Sequence, residues 1–352
     1  MKTASRQYNL AIVGLGGMGN WHRETIERID NLQVCGSFDI KASRQQFAKD
    51  HGIAPYESFE AVLADPKVDI VLCATPNDSH LDIVVRSLEA GKHVVCEKPV
   101  ALSSIELQKM IDASKKANRL FVVHQNRRWD EDYLTMKKIF DEGLLGEVFR
   151  IESRVHGSRG IPGDWRQEKE RGGGMVLDWG VHTIDQMLLL VPGKVKKVYA
   201  SVTHITNELV DDGFYAELTF ESGVHALLEV GTSNFVSLPR WYMLGRDGTA
   251  VIRDWSLSGE MVRITDWSKN DAVPIRTAAG LTKTMAPRTN DTIHTQPLPV
   301  VKSDIRDFYR NVLGTIEGKA EIIVKHDQVM RVMKLMEAIF ASSERQQAVD
   351  FE

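Results

Sequence analysis

From residue 9 to about residue 125, short apolar runs alternate with stretches whose apolar positions recur every three or four residues. The runs lie at 9–13, 32–38, 68–74, 93–96 and 120–123. Uninterrupted runs of this length, bounded by turn residues, predict strands buried on both faces. The intervening stretches 18–29, 42–51, 58–64, 81–90 and 103–117 read as helices; Ser103 or Ser104 supplies a cap for the last, with Glu106 near the capping-box position. Strict strand–helix alternation predicts a parallel, doubly wound sheet with helices on both faces. Past Arg127 the pattern changes. A helix at 133–142 precedes segments with partial alternation at 148–155, 195–203, 213–220, 224–232, 240–245 and 248–253. Short turns such as Glu221-Ser222-Gly223 and Arg246-Asp247-Gly248 join several of them, so this half predicts an open, mainly antiparallel sheet. One helix, 175–190, interrupts these strands. Residues 269–300, rich in Thr, Pro, Asn and Asp, read as mostly irregular. Two helices close the chain at 303–316 and 326–343 and are expected to return to the first domain. The fold class is therefore α/β, with units at 1–126, 127–302 and 303–352.

Composition narrows the class. The 352 residues correspond to about two domains. Hydrophobic residues make up 43% and charged residues 26%, as in a globular protein with a sizeable core. A net charge of -4 and no long basic run do not indicate nucleic-acid binding. No apolar run approaches the roughly 18–20 residues that span a bilayer, and the polar start, Met1 to Gln7, lacks a signal-peptide core. A cytoplasmic protein is the resulting expectation. Cys35, Cys73 and Cys96 each sit in an apolar run and read as packing residues, with no disulfide or metal set among them.

The first strand leads into Gly14-x-Gly16-x-x-Gly19. In that spacing the first glycine permits a tight turn, the second lets backbone approach a pyrophosphate, and the third lets helix pack on strand. The N–H groups of the following helix, from Gly17 and Met18 onward, would face the phosphates. The second run ends at Asp39, followed by Ile40, twenty residues after Gly19. That is where a dinucleotide fold places the carboxylate for the adenosine ribose hydroxyls. Two further strand ends carry unusual residues: Thr75-Pro76-Asn77 with His80, and Glu97-Lys98-Pro99. In an open parallel sheet these would share one ligand-binding rim. Lys98 is held extended by the proline after it, beside the expected nicotinamide position.

A second cluster follows Gly172-Gly173-Gly174. On a regular helix Asp178, His182 and Asp185 share one face. Gly180 costs such a helix about 1 kcal/mol relative to Ala, a sign of close approach by another group. A solvated helix face, a divalent metal site and acid–base chemistry by a carboxylate-oriented imidazole all fit this pattern. A hydride-accepting cofactor favours the last, because alcohol oxidation needs a base and no metal.

Together these motifs, in this order and spacing, resemble the Gfo/Idh/MocA oxidoreductase family, named for glucose-fructose oxidoreductase and inositol dehydrogenase. The resemblance implies an N-terminal Rossmann domain and a C-terminal α/β domain whose open sheet often forms the oligomer contact, giving a homo-oligomer (dimer or tetramer). It implies Lys98, Asp178 and His182 as the catalytic set, with Asp178 orienting His182. Lys98, Arg127, His156, Trp165, Arg166, Asp178 and His182 fall on the substrate side. Gly14, Gly16, Gly17, Met18, Gly19, Asp39, Ile40, Thr75, Pro76, Asn77, His80, Glu97 and Lys98 fall on the cofactor side. Asp39 resembles the NAD-preferring form, since a carboxylate repels the 2′-phosphate of NADP; Lys41 and Arg44 lie close by. The implied activity is hydride transfer between NAD and a secondary hydroxyl of a sugar, sugar derivative, glycoside or cyclic polyol, with no nucleic-acid or membrane partner. Alternatives are an enzyme that retains and recycles its NAD, and a non-enzymatic dinucleotide or sugar sensor. Segment 276–300 has no counterpart in the family pattern.

Overall fold

The computed structural model describes residues 6–269, 273–282 and 284–352. Strands β1 (Tyr8–Val13), β2 (Leu32–Phe38), β3 (Ile70–Cys73), β4 (His93–Cys96) and β5 (Phe121–Val123) form a parallel sheet in the order β2-β1-β3-β4-β5. Every residue of β3 and β5 is buried, because helices cover both faces. Those helices are α1 (Gly17–Ile26), α2 (Ala42–Asp50), α3 (Phe59–Ala64), α4 (His80–Glu89) and α5 (Ser104–Ala117). Ser103 caps α5 by accepting from the Glu106 N–H, while the Glu106 carboxylate accepts from the Leu102 N–H. The strand order reverses direction between β1 and β3, so the binding crevice lies beyond their carboxyl ends.

The second sheet has nine strands: β6 (Val148–His156), β7 (Val195–Thr203), β8 (Gly213–Phe220), β9 (His225–Gly231), β10 (Trp241–Gly245), β11 (Gly248–Ile252), β12 (Gly259–Ile264), β15 (Ile293–Gln296) and β16 (Val349–Asp350). All its pairings are antiparallel except β6 with β9. Helices α6 (Glu131–Asp141) and α7 (Val181–Leu190) belong to this half. Residues 269–300 correct the expectation of irregular chain: β13 (Ile275–Thr277) and β14 (Gly280–Thr282) form a small hairpin, and β15 extends the large sheet beyond β12. Residues 270–272 and 283 of that stretch, like 1–5 of the polar start, lie outside the described residues.

The closing helices divide their packing. Helix α8 (Arg306–Ile316) lies on α1, where the Tyr309 hydroxyl is 2.6 Å from His22 Nδ1. Helix α9 (His326–Arg345) packs mainly on β7 and α7 of the second half and touches α5 of the first. It therefore bridges the two halves and does not simply return to the first, as the sequence pattern predicts. Glu337 on α9 accepts from the Ser104 N–H and hydroxyl at 2.7 and 2.9 Å, while Ser342 accepts from the Ala200 N–H at 2.9 Å.

Candidate functional site

The three strand ends converge on one rim. Gly14 has φ +92, and a Cβ there would meet the Ala74 carbonyl oxygen at 2.6 Å; a Cβ on Gly19 would meet the Gly14 oxygen at 2.1 Å. Both positions therefore exclude a side chain. Gly16 and Gly17 differ: a Cβ on either would meet nothing within 4 Å, so open space lies over the backbone there. Gly16 is the N-cap of α1 and supplies no side-chain acceptor, which leaves first-turn N–H groups of Gly17 and Met18 available to an anion. Asp39 follows β2, with its carboxylate accepting from Leu15 N at 2.9 Å and Lys41 N at 2.8 Å. Ile40 beside it is exposed, as a lid over an adenine would be. These residues fit a dinucleotide.

The middle of the rim is braced from within. His80 is fully buried; its Nε2 lies 2.9 Å from the Thr75 carbonyl oxygen and its Nδ1 3.1 Å from that of Pro99. It thus ties the loop after β3 to the loop after β4 and has no free edge for a cofactor. Asn77 is also buried, and its Nδ2 donates to the Gly172 carbonyl of the second half. Thr75 Oγ1 accepts from the Ser79 hydroxyl, and Pro76 precedes the single helical turn that starts at Asn77. Glu97 points inward, with Oε1 2.8 Å from both His22 Nε2 and His124 Nδ1, while Oε2 accepts from the Lys98 N–H. Burial raises the Glu97 carboxyl, but the two histidines outweigh it and hold the group well below the usual carboxylate range. Burial, with His124, pushes His22 down to about 4.

Lys98, after β4, and the segment before α7 meet. Lys98 Nζ donates to both the carbonyl and Oδ1 of Asp178 at 3.1 Å. The other carboxylate oxygen of Asp178 accepts from Arg166 Nε at 2.9 Å. Burial pushes the Asp178 carboxyl up, and the two cations more than compensate, holding it below its ordinary value. His182 is buried with Nδ1 lacking a hydrogen-bond partner among the described residues. Burial first, then Lys98 and Arg127, drive its proton affinity well below the ordinary histidine range. The imidazole is therefore neutral at physiological pH.

Two expectations change here. Asp178 spends its carboxylate on Lys98 and Arg166, so it does not hydrogen-bond His182. Asp185 leaves the site and takes a bidentate pair with Arg128 at 2.8 and 2.7 Å. The cause is local: residues Val176–Gly180 form a π-helical turn, whose extra residue rotates Asp178 relative to everything after it. Gly180 permits the turn to approach β8, since a Cβ there would meet the Phe214 ring at 3.1 Å.

The other residues expected on the substrate side vary in freedom. Arg127 stacks over Trp179 at 4.2 Å and pairs with Asp130 at 2.8 Å. Arg166 also covers Trp165, at 4.6 Å. His156 is held between Glu229 at 3.1 Å and the Leu238 N–H at 3.2 Å. A cavity of about 500 Å³ lies among Arg127, His156, Arg159, Asp178, Trp179 and Trp255. Arg159 and Trp255 carry no sequence signal that marks them. They come from loops after β6 and β11, where neither period nor motif applies. Cys73 and Cys96 are fully buried in the core, as the packing reading expects. They face each other across β3 and β4, and their sulfurs and a His80 nitrogen lie within 4.8 Å of one another.

Comparison with known proteins agrees with this architecture. Residues 8–125 match a family model described as oxidoreductase family, NAD-binding Rossmann fold, and residues 133–251 match the GFO/IDH/MocA C-terminal domain. An uncharacterized oxidoreductase of Schizosaccharomyces pombe is 30% identical over 322 residues, covering 84% of this chain and 85% of that protein. A Bacillus subtilis protein named scyllo-inositol 2-dehydrogenase (NADP(+)) is 27% identical over 348 residues, 97% of this chain and 96% of its own length. The crystal structure of an NAD-binding protein from Listeria innocua superposes with a TM-score of 0.96 at 50% identity, covering 98% of this chain and all of that one.

Proposed function

Because this chain belongs to the Gfo/Idh/MocA family of NAD(P)-binding oxidoreductases, we propose that it oxidises a secondary hydroxyl of a sugar or cyclic polyol, reversibly. One observation carries the reading: a lysine from the Rossmann half reaches the segment bearing a buried, neutral histidine in the other half. A bound nicotinamide would supply the hydride acceptor. His182 would take the hydroxyl proton, a role open to it because its imidazole is unprotonated. Lys98 would hydrogen-bond the reacting oxygen and stabilise the alkoxide as it develops. Asp178 would fix the Lys98 ammonium and, with Arg166, close the floor of the site. Asp39 supports NAD as the preferred cofactor, since both its oxygens already accept backbone N–H groups and a 2′-phosphate would meet a carboxylate there. The relative named for scyllo-inositol supports cyclic polyols in the first assay panel.

Inositols, hexoses, glycosides and their keto forms, tested with NAD and NADP in parallel, should give reduced or oxidised cofactor with at least one pair. His182→Ala and Lys98→Met should each lower turnover by about 10²–10⁴-fold while cofactor affinity, read by fluorescence titration, persists. Near-normal turnover in both variants removes the mechanism.

A further inference from the structure

We propose that the molecule oxidised is anionic: a sugar or polyol bearing a carboxylate or phosphate, with its charge between Arg127 and Arg159 and its ring carbons against Trp179 and Trp255. This rests on the dehydrogenase reading and narrows it. The cavity of about 500 Å³ has Asp178 at one edge and these four side chains around it. Its charged donors outnumber its charged acceptors. Among the described lining residues Asp178 is the sole carboxylate, and Lys98 and Arg166 already take both of its oxygens. His156 offers no free acceptor, because Nδ1 accepts from Leu238 and the other edge faces Glu229. Glu229 is itself paired with Arg154 at 3.0 Å. The acceptors that remain are neutral hydroxyls, those of Ser158 and of Thr232, whose proton goes to the Asp212 carbonyl.

Two guanidinium groups remain against this. Arg127 uses Nη1 on Asp130, while its Nε is buried with no partner among the described residues. Arg159 is exposed to the cavity mouth and makes no ion pair or hydrogen bond among the described residues. A guanidinium carries five N–H donors and no acceptor. Each hydroxyl of a neutral polyol can accept from these groups but also carries a proton that needs an acceptor of its own. A carboxylate or phosphate brings acceptors alone, in the planar or tripod arrangement that Arg binds best. The Trp179 and Trp255 rings, 6.0 Å apart, supply an apolar wall for the C–H face of a ring. Arg127 stacks on both of them, at 4.2 and 5.4 Å, which presets its plane and leaves its edge for the anion.

Matched substrate pairs test the proposal on the full-length protein with NAD and NADP: glucose against glucuronate and glucose 6-phosphate, and myo-inositol against inositol 1-phosphate. At least one anionic member should show a kcat/KM ten or more times that of its neutral partner, and the carboxylate and phosphate arms tell which charge is meant. Arg159→Gln, at an exposed position, should shrink that ratio at least tenfold, mainly through KM. Neutral members turned over as well as anionic ones overturn the proposal and leave the dehydrogenase reading intact. If no compound is turned over, but anionic members alone raise the melting temperature, anion binding in this cavity stands, while oxidation of the bound anion falls together with the dehydrogenase reading. No turnover and no shift overturns both.

Discussion

At the residue scale, the proposed chemistry rests on how three charges are disposed around one imidazole. Lys98 and Arg127 both depress the proton affinity of His182, after burial itself, and Asp178 neutralises Lys98 without touching the ring. A base whose proton affinity lies well below the ordinary range stays unprotonated through neutral pH. The oxidation rate should accordingly show no inflection near pH 6.5, and its acid limb should lie lower. Lys98→Met removes one of the depressing charges, so the limb in that weakened variant should move upward in pH, towards the ordinary histidine value. Rate profiles of both proteins from pH 5 to 9 decide this; a wild-type inflection at 6.5 would contradict it. Asp178→Asn addresses the partner. Hydrogen bonds to charged groups are worth about 1.5–3 kcal/mol, and Asp178 accepts two such bonds, from side chains of which Lys98 is mostly and Arg166 partly buried. The variant should lose stability in that range by urea unfolding and lose turnover as well. Motif spacing made Lys98, Asp178 and His182 visible in the sequence, because each lies at an element end where backbone geometry is fixed. It could not show which carboxylate oxygen goes to which cation, since Arg166 arrives from a loop with no periodic signal.

At the element scale, one turn decides the site. Sequence periodicity assumes a constant 3.6 residues per turn, so residues 175–190 read as one helix with Asp178, His182 and Asp185 aligned. The π-turn at Val176–Gly180 inserts one residue and breaks that alignment. Its traces in the sequence are the glycines: Gly180 against Phe214, and Gly174 at φ +101, where a Cβ would lie 2.1 Å from Asp211 Oδ1. Asp211 anchors the turn, with its carboxylate accepting from Val176 N at 2.7 Å and its carbonyl from Met175 N at 3.0 Å. Gly174→Ala combines a left-handed backbone with this clash. It should cost about 1–3 kcal/mol and displace Asp178, so that kcat falls with little change in cofactor affinity. Urea unfolding and fluorescence titration measure the two parts; unchanged kcat in a folded variant would mean the turn does not position the site. Strands β12 and β15 were illegible for a different reason. At the rim of the second sheet they bury little, Met261 being the buried position of β12, so period-two alternation never develops. The parallel strands, buried on both faces, left continuous apolar runs and were legible almost to the residue.

At the scale of the whole molecule, buried ionisable groups on both sides of the site oppose one another in pH. His22, fully buried between Glu97 and the Tyr309 of α8, is pushed from the ordinary 6.5 to about 4, chiefly by burial. The unfolded chain binds the proton first, so His22 contributes stability above pH 6.5 that is lost as pH falls towards 4. Asp211, beside the π-turn of the other half, is pushed from 3.8 to about 6, again chiefly by burial. Here the folded state holds the proton more tightly, so its contribution is complete below 3.8 and is lost as pH rises through 6. Each amounts to on the order of 3 kcal/mol at about 1.4 kcal/mol per pH unit, with opposite sign over nearly the same window. His93, pushed down to about 4, and His182, driven well below its ordinary range, act in the same direction as His22. The intact protein should therefore lose stability as pH falls from 6.5 to 4, with Asp211 and Asp130, both raised by burial, making that loss less steep. Asp211→Asn keeps an acceptor for Val176 but removes the titration. Its melting temperature should drop more steeply than that of the wild type as pH falls from 7 to 4.5. His22→Gln should tilt the profile the other way, towards greater relative stability in acid. Calorimetric melting curves of the three proteins across that range test the opposition directly: three parallel profiles would show that neither group titrates differently on folding.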